Sequence, residues 1–264
     1  MTVDVEYAHR GDISIAYQAI GDGPVDIILG AGLVSHLDLL WADPHATAFL
    51  RRLASMGRLL LFDKPGTGLS DPVAGIPTVQ QRADDFLAVL DAAGSRRAVV
   101  IGFSEACTPA ILLAATHPER VEALIALSGV ARITPTKDYL PGIEDRFEPM
   151  WAMFRHSTER WGDGSMFQTL SPYARENTVY RRLAQNVERA CASPGMARVM
   201  INALWDYDVT GVAGAVDVPT LVIHRTSEVL PIECARWTAD AIPGAKMLEL
   251  PGAEHMCWFN GDDI

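Results

Sequence analysis

The segment Gly102-Phe103-Ser104-Glu105-Ala106 sets a serine between two apolar runs of different character. Arg97 to Ile101 is short, rich in β-branched residues and uninterrupted, which suits a strand buried on both faces. Ala106 to Ala115 has the length and the almost wholly apolar content of a buried helix. Ser104 then occupies the hinge of a strand that reverses into a helix, the arrangement of a nucleophile elbow. Such a reversal forces the hinge residue into an uncommon backbone conformation and crowds its neighbours, so the positions two before and two after must be small. Gly102 and Ala106 meet that demand, although the commoner form has glycine at the second position and Ala106 adds a methyl at the tightest point. Taken alone, the same residues also fit a serine in an ordinary strand-to-helix turn.

A serine hydroxyl is a poor nucleophile at neutral pH, so acyl chemistry at Ser104 requires a nearby base, normally a histidine held in one tautomer by a carboxylate. Of the seven histidines, His255 alone follows the last expected strand, in Pro251-Gly252-Ala253-Glu254-His255, where a Pro-Gly turn can aim it back over the sheet. His9, His36, His45, His117, His156 and His224 read as surface or core residues. The acid should leave a strand end between nucleophile and base. Glu228, four residues past His224, gives the order Ser104, Glu228, His255. Asp138, Asp206 and Asp208 stay open as substitutes, as does the absence of a third member. The oxyanion of a tetrahedral intermediate needs backbone donors, and two are placed by position: the amide of Glu105 and that of Leu33 in Gly30-Ala31-Gly32-Leu33.

These residues must be held by alternating elements. Residues 3 to 20 read as an antiparallel hairpin around Gly11-Asp12. Next come a strand at Asp26 to Leu29, a helix from about His45 to Met56 and a strand at Arg58 to Phe62. A helix follows with a capping box of Thr78 and Gln81, an apolar stripe from Val79 to Leu90 and a stop at Gly94. Beyond the elbow helix, Ala123 to Leu127, Pro219 to His224 and Lys246 to Leu250 read as further strands. The rhythm predicts a mostly parallel central sheet with helices on both faces. Between Val130 and Val218 it stops, and half of the aromatic residues of the chain lie there. That stretch is expected to be an inserted α-helical cap, so the core is residues 1–129 and 219–264 and the cap residues 130–218. Most of its rings are expected to be plain core, with Trp151 and Phe154 as candidates to face a substrate pocket.

The chain of 264 residues is 49% apolar, enough for one large α/β core, and its formal charge of -11 is the wrong sign for a nucleic-acid surface. No apolar run reaches the length of a membrane span, and the N-terminal residues lack the features of a signal peptide, so a cytoplasmic location is expected. The four cysteines show neither zinc nor disulfide spacing and are expected to be reduced thiols. No H-E-x-x-H and no dinucleotide fingerprint occurs, so neither metal nor cofactor is expected.

Together these segments resemble the α/β-hydrolase fold superfamily over essentially the whole chain. Asp63-Lys64-Pro65-Gly66-Thr67-Gly68-Leu69-Ser70-Asp71 resembles its D-x-R-G-x-G-x-S loop, with Pro65 in place of the arginine, and Pro219 to His224 and Pro251 to His255 add to the likeness. Val34 to Trp41, Asp63 to Pro72 and His224-Arg225-Thr226 are similar to hydrolase modules joined to bacterial adenylate/guanylate cyclase domains. Those modules usually carry Asp where this chain has Glu228. The superfamily also closes with a helix after the histidine loop. The chain ends nine residues past His255, so that helix is expected to be truncated or supplied by a partner.

The resemblance and the residues together imply a serine hydrolase that cleaves small carboxylic esters or lactones through an acyl-enzyme. Carbon-carbon bond hydrolysis on the same triad is the alternative enzyme, and a ligand sensor with little turnover the non-enzymatic one. Dehalogenase and epoxide hydrolase chemistry would need Asp at the elbow in place of Ser104. The expected partner is a small-molecule ester or lactone, with no nucleic acid and no membrane, and a homodimer stays open.

Overall fold

The computed structural model describes residues 3–75 and 77–259. Its strands are β1 (Glu6–Arg10), β2 (Ile13–Ile20), β3 (Asp26–Gly30), β4 (Arg58–Phe62), β5 (Ala98–Phe103), β6 (Val121–Leu127), β7 (Thr220–Arg225) and β8 (Lys246–Leu250). They form one sheet in the order β1-β2-β4-β3-β5-β6-β7-β8, antiparallel at β1/β2 and β2/β4 and parallel from there on. The expected hairpin is the antiparallel edge, and the βα rhythm is the parallel remainder.

The helices are α1 (Leu37–Ala42), α2 (Pro44–Ala54), α3 (Val79–Ala92), α4 (Cys107–Thr116), α5 (Glu148–Glu159), α6 (Ser165–Leu170), α7 (Pro172–Glu176), α8 (Thr178–Cys191), α9 (Pro194–Asp206) and α10 (Ile232–Ala241). Strand residues alternate between two layers because successive side chains leave opposite faces. Ile28, Leu60, Val100 and Leu124 pack with Phe86 and Leu90 of α3 and Ile111 of α4. Ile27, Leu29, Leu59, Leu61 and Ile101 pack on the other face with Leu37 of α1 and Leu50 of α2. Both faces are therefore covered, and the central strands read as unbroken apolar runs. The Thr78–Gln81 capping box is complete, with Gln81 N donating to Thr78 Oγ1 at 3.1 Å and Thr78 N donating to Gln81 Oε1 at 2.9 Å.

Between β6 and β7 the described residues hold α5 to α9 and two isolated bridges but no named strand. Met150, Met153 and Phe154 of α5 meet Met200, Ile201 and Leu204 of α9 in a separate apolar cluster, which touches the rest of the protein through Leu33, Leu230 and Cys234. No described helix is long and apolar enough to cross a membrane. All four cysteines are free and buried. The closing helix expected after the histidine loop falls outside the described residues.

Candidate active site

At the end of β5, Ser104 has φ of +56°, a left-handed conformation that a residue with a Cβ adopts only under local compulsion. The compulsion comes from the turn itself, a 3-10 turn over Ser104–Ala106 that runs straight into α4. A Cβ at Gly102 would lie 2.7 Å from the Ala106 carbonyl oxygen and 2.8 Å from Ala110 Cβ, so only glycine fits there. The methyl of Ala106 is accommodated because Gly30 faces it from β3, where a Cβ would come within 2.9 Å.

Over this elbow, Ser104 Oγ lies 2.9 Å from His255 Nε2, and His255 Nδ1 lies 2.5 Å from Glu228 Oε2. The residues expected at the nucleophile, base and acid positions are thus in one line of contacts. Burial on its own would raise the Glu228 carboxyl; the charge of His255 and hydrogen bonds from His224 and His255 outweigh it and hold the carboxyl down at about 2. Glu228 is ionised at neutral pH and can only accept, so His255 Nδ1 carries the hydrogen and Nε2 turns a lone pair to the serine hydroxyl. The other carboxylates raised by the sequence lie elsewhere: Asp208 pairs with Arg132 at 2.6 Å, and Asp138 and Asp206 are exposed. Burial pushes the Cys107 thiol up, so this neighbour of the serine stays protonated.

Leu33 and Glu105 both line the cavity into which Ser104 and His255 open. Among the described residues, neither backbone amide is engaged by a side chain or by a loop carbonyl. The loop carrying Leu33 stands directly against the serine, since a Cβ on Gly32 would lie 3.0 Å from Ser104 Cβ. Asp63 fixes that loop from behind. Its buried carboxylate accepts from Ser35 Oγ, from Leu37 N at 3.1 Å and from Leu69 N at 3.0 Å. Gly68 has φ of +52°, and a Cβ there would lie 2.0 Å from Asp63 Oδ2, so the D-x-P-G-x-G loop needs this glycine to make room for its own aspartate.

The cavity is lined by Leu33, Met150, Met153, Phe154, Met166 and Leu230 among many other apolar side chains; no Lys or Arg lines it among the described residues. Its few polar groups are mostly occupied. Thr108 Oγ1 donates to the Val130 carbonyl at 3.1 Å and Tyr180 OH donates to Asp43 at 3.1 Å. Of the two rings expected to face a substrate pocket, Phe154 lines this cavity and Trp151 does not. Trp151 stacks on Phe147 at 5.8 Å and donates its indole N–H to the Ile133 carbonyl at 3.4 Å, because its side of α5 closes the helical cluster rather than the cavity.

The histidine loop is tied to the helices above it. His255 N donates to the Leu170 carbonyl at 3.0 Å, and Ser171 Oγ donates to Glu254 Oε2 at 2.9 Å. Two contributors were not anticipated. Lys64 Nζ, buried beneath the loop, lies 3.0 Å from Glu105 Oε2 and also donates to the Gly32 carbonyl. His224, expected to be a plain surface or core residue, is fully buried with Nε2 2.8 Å from Glu228 Oε1. The signal for Lys64 was its place after β4 in the Asp63 loop. For His224 it was the four-residue spacing to Glu228.

With this geometry in view, the likeness to known proteins is informative. A family model described as alpha/beta hydrolase fold matches residues 32–262. The chain belongs to that family. This hydrolase is 27% identical over 255 residues to a protein of Caulobacter sp. (strain K31) named carbamate hydrolase RutD, spanning 93% of this chain and 90% of the other. It is 26% identical to the pimeloyl-[acyl-carrier protein] methyl ester esterase of Chromobacterium violaceum, over 92% of this chain and 91% of that one. Among solved structures, the enol-lactonase from Burkholderia xenovorans LB400 superposes with a TM-score of 0.75 at 25% identity, covering 98% of this chain and 95% of its own.

Proposed function

We propose that this hydrolase cleaves small, neutral carboxylic esters or lactones through an acyl-enzyme. Ser104 is the nucleophile, His255 the general base and acid, and Glu228 the carboxylate that orients His255. The observation that carries the reading is the unbroken line of contacts from Glu228 through His255 to Ser104, opening on an apolar cavity. In the first half-reaction His255 Nε2 takes the serine proton as Oγ adds to the carbonyl carbon. The amides of Leu33 and Glu105 receive the developing oxyanion, and His255 then returns the proton to the departing alkoxide. Water repeats the sequence on the acyl-serine and releases the acid. No cofactor enters.

The names of the relatives, for carbamate, methyl ester and lactone cleavage, all describe reactions at a carbonyl bearing a heteroatom leaving group, which supports the same class here. The helices of residues 130–218 are proposed as the cap that shapes the acyl side of the cavity. Neutrality of the substrate follows from the lining, since an anion would enter a low-dielectric site that has a carboxylate at Asp43, a Glu105 already paired with Lys64 and, among the described residues, no lining Lys or Arg. Carbon-carbon hydrolysis on the same triad would require His255 to protonate a carbon leaving group, and a sensor would bind without releasing product.

The test is hydrolysis of p-nitrophenyl acetate, butyrate and octanoate, of a neutral lactone, and of the monoanionic p-nitrophenyl hemisuccinate, each beside Ser104→Ala. The reading predicts Ser104-dependent turnover of the neutral compounds and at least a tenfold lower kcat/KM for the hemisuccinate than for the butyrate. Turnover that persists in Ser104→Ala, or equal use of the anion, contradicts it.

A further inference from the structure

The buried contact between His224 and Glu228 has no place in a simple three-residue mechanism. His224 lies near the end of β7, and its side chain and that of Glu228 are both shut off from water. Its Nδ1 lies 2.7 Å from the carbonyl oxygen of Arg225, and its Nε2 lies 2.8 Å from Glu228 Oε1, while the opposite oxygen of the same carboxylate meets His255. A backbone carbonyl only accepts, so Nδ1 carries a hydrogen. An ionised carboxylate also only accepts, and a bare lone pair on Nε2 at that distance would be repelled, so Nε2 carries one too. At 2.8 Å the two groups make a buried ion pair.

We propose that His224 is a permanent imidazolium that neutralises Glu228 and so sets how strongly Glu228 supports a proton on His255. It acts through the acid and is a positioning residue. The inference rests on the serine hydrolase reading, with Glu228 as the acid. A carboxylate shared between two imidazoles stabilises the charged form of the base less than an unshared one does. His224 thereby weakens the hold of Glu228 on a proton at His255.

The neighbours of His224 leave this role to the pair itself. On β8, Glu249 faces His224 in register but is bound to Arg236 of α10 by two hydrogen bonds at 2.8 Å. Arg225 Nη1 donates to the Pro251 carbonyl at 2.8 Å. On β6, the residues level with the end of β7 are the uncharged Ala126, Leu127 and Ser128. Cys107 of α4, Cys234 of α10 and Cys257 are thiols that burial pushes up, hence uncharged.

The experiment is the pH profile of kcat/KM for p-nitrophenyl butyrate in the wild type, His224→Gln and His224→Phe, with Ser104→Ala as the background. Gln can still donate to Glu228 but carries no charge. The expected result is an acid limb displaced upward by about one unit in His224→Gln, a roughly tenfold loss of kcat/KM at acid pH that shrinks as pH rises. His224→Phe should show the same displacement and, in addition, a lower kcat at every pH. An acid limb within 0.2 unit of wild type in both variants overturns the proposal. Nitrogen NMR of protein labelled with 15N-histidine, recorded in Ser104→Ala, reads the charge without turnover. Both ring nitrogens of His224 should stay protonated from pH 5 to 8, and a single deprotonated nitrogen in that range overturns the proposal even if neither variant folds. Absence of Ser104-dependent hydrolysis in the wild type would instead overturn the serine hydrolase reading and leave the NMR result to decide the charge of His224.

Discussion

Replacing Lys64 by methionine should damage stability and rate together. Lys64 and Glu105 form an ion pair with side chains only 7% and 6% exposed, and the same ammonium reaches the Gly32 carbonyl. One cation thereby joins the two segments that carry the Leu33 and Glu105 amides. Burial lowers the Lys64 ammonium from its ordinary range, and the charge of Glu105 opposes that. Methionine keeps most of the length of the side chain but leaves Glu105 a buried charge without its partner, a change that costs about 3 to 5 kcal/mol. At ~2 to 4 °C per kcal/mol for a chain of this size, Tm should fall by about 10 °C. Displacing one oxyanion donor should also lower kcat by about a hundredfold. The assay is thermal unfolding at pH 7 of the wild type, Lys64→Met, Glu105→Gln and the double variant, with ester turnover measured on each. The double variant should recover at least half of the lost Tm, since no charge is then stranded. A Lys64→Met protein melting within 2 °C of wild type, or a double variant no more stable than Lys64→Met, would refute the reasoning.

Other consequences can be checked separately. Glu228 ionises at about 2 in the folded protein against an ordinary 4.5. As pH falls between these values the unfolded chain takes up a proton that the folded one refuses, so stability present above 4.5 is lost on the way down to 2. The contribution is on the order of 3 kcal/mol, and urea unfolding should show a shallower acid loss in Glu228→Gln than in wild type. Gly32→Ala should place a methyl 3.0 Å from Ser104 Cβ and 3.4 Å from its Oγ. It is expected to lower kcat/KM at least tenfold while circular dichroism shows an intact fold. Phe154→Ala should enlarge the cavity and shift preference from p-nitrophenyl butyrate toward octanoate, whereas Trp151→Ala should leave that ratio unchanged and act on stability alone.

Which parts of this arrangement can be read from the chain depends on how local their physics is. The elbow is visible because its small residues, apolar strand and apolar helix are contiguous, and α3 because its capping box and stripe lie within one helix. The short helix α1 is not visible: it has six residues, no side-chain cap, and is anchored by Leu37, whose amide is held by Asp63 from a distant loop. α10 begins after Pro231 without a side-chain cap and buries Ile232 among small or polar residues, too weak an apolar stripe to read. Trp151 and Phe154 belong to one helix, and which of them meets the cavity depends on how α5 docks on α9. The order Ser104, Glu228, His255 is legible from chain direction, whereas the contact of His224 with Glu228 arises from a loop turning back on its own strand. Lys64 likewise has meaning only once β3, β4 and β5 bring Gly32, Lys64 and Glu105 together.

The central claim is that Ser104 is a nucleophile activated by His255, and covalent labelling tests it without knowledge of a natural substrate. Intact protein, Ser104→Ala and His255→Ala are treated with a fluorophosphonate at pH 7.5 and analysed by intact-mass and peptide mass spectrometry. The account predicts a single stoichiometric adduct on Ser104, none in Ser104→Ala, and labelling slowed by at least a hundredfold in His255→Ala. A folded protein that takes no label, takes it on another residue, or labels equally fast without His255 would contradict it.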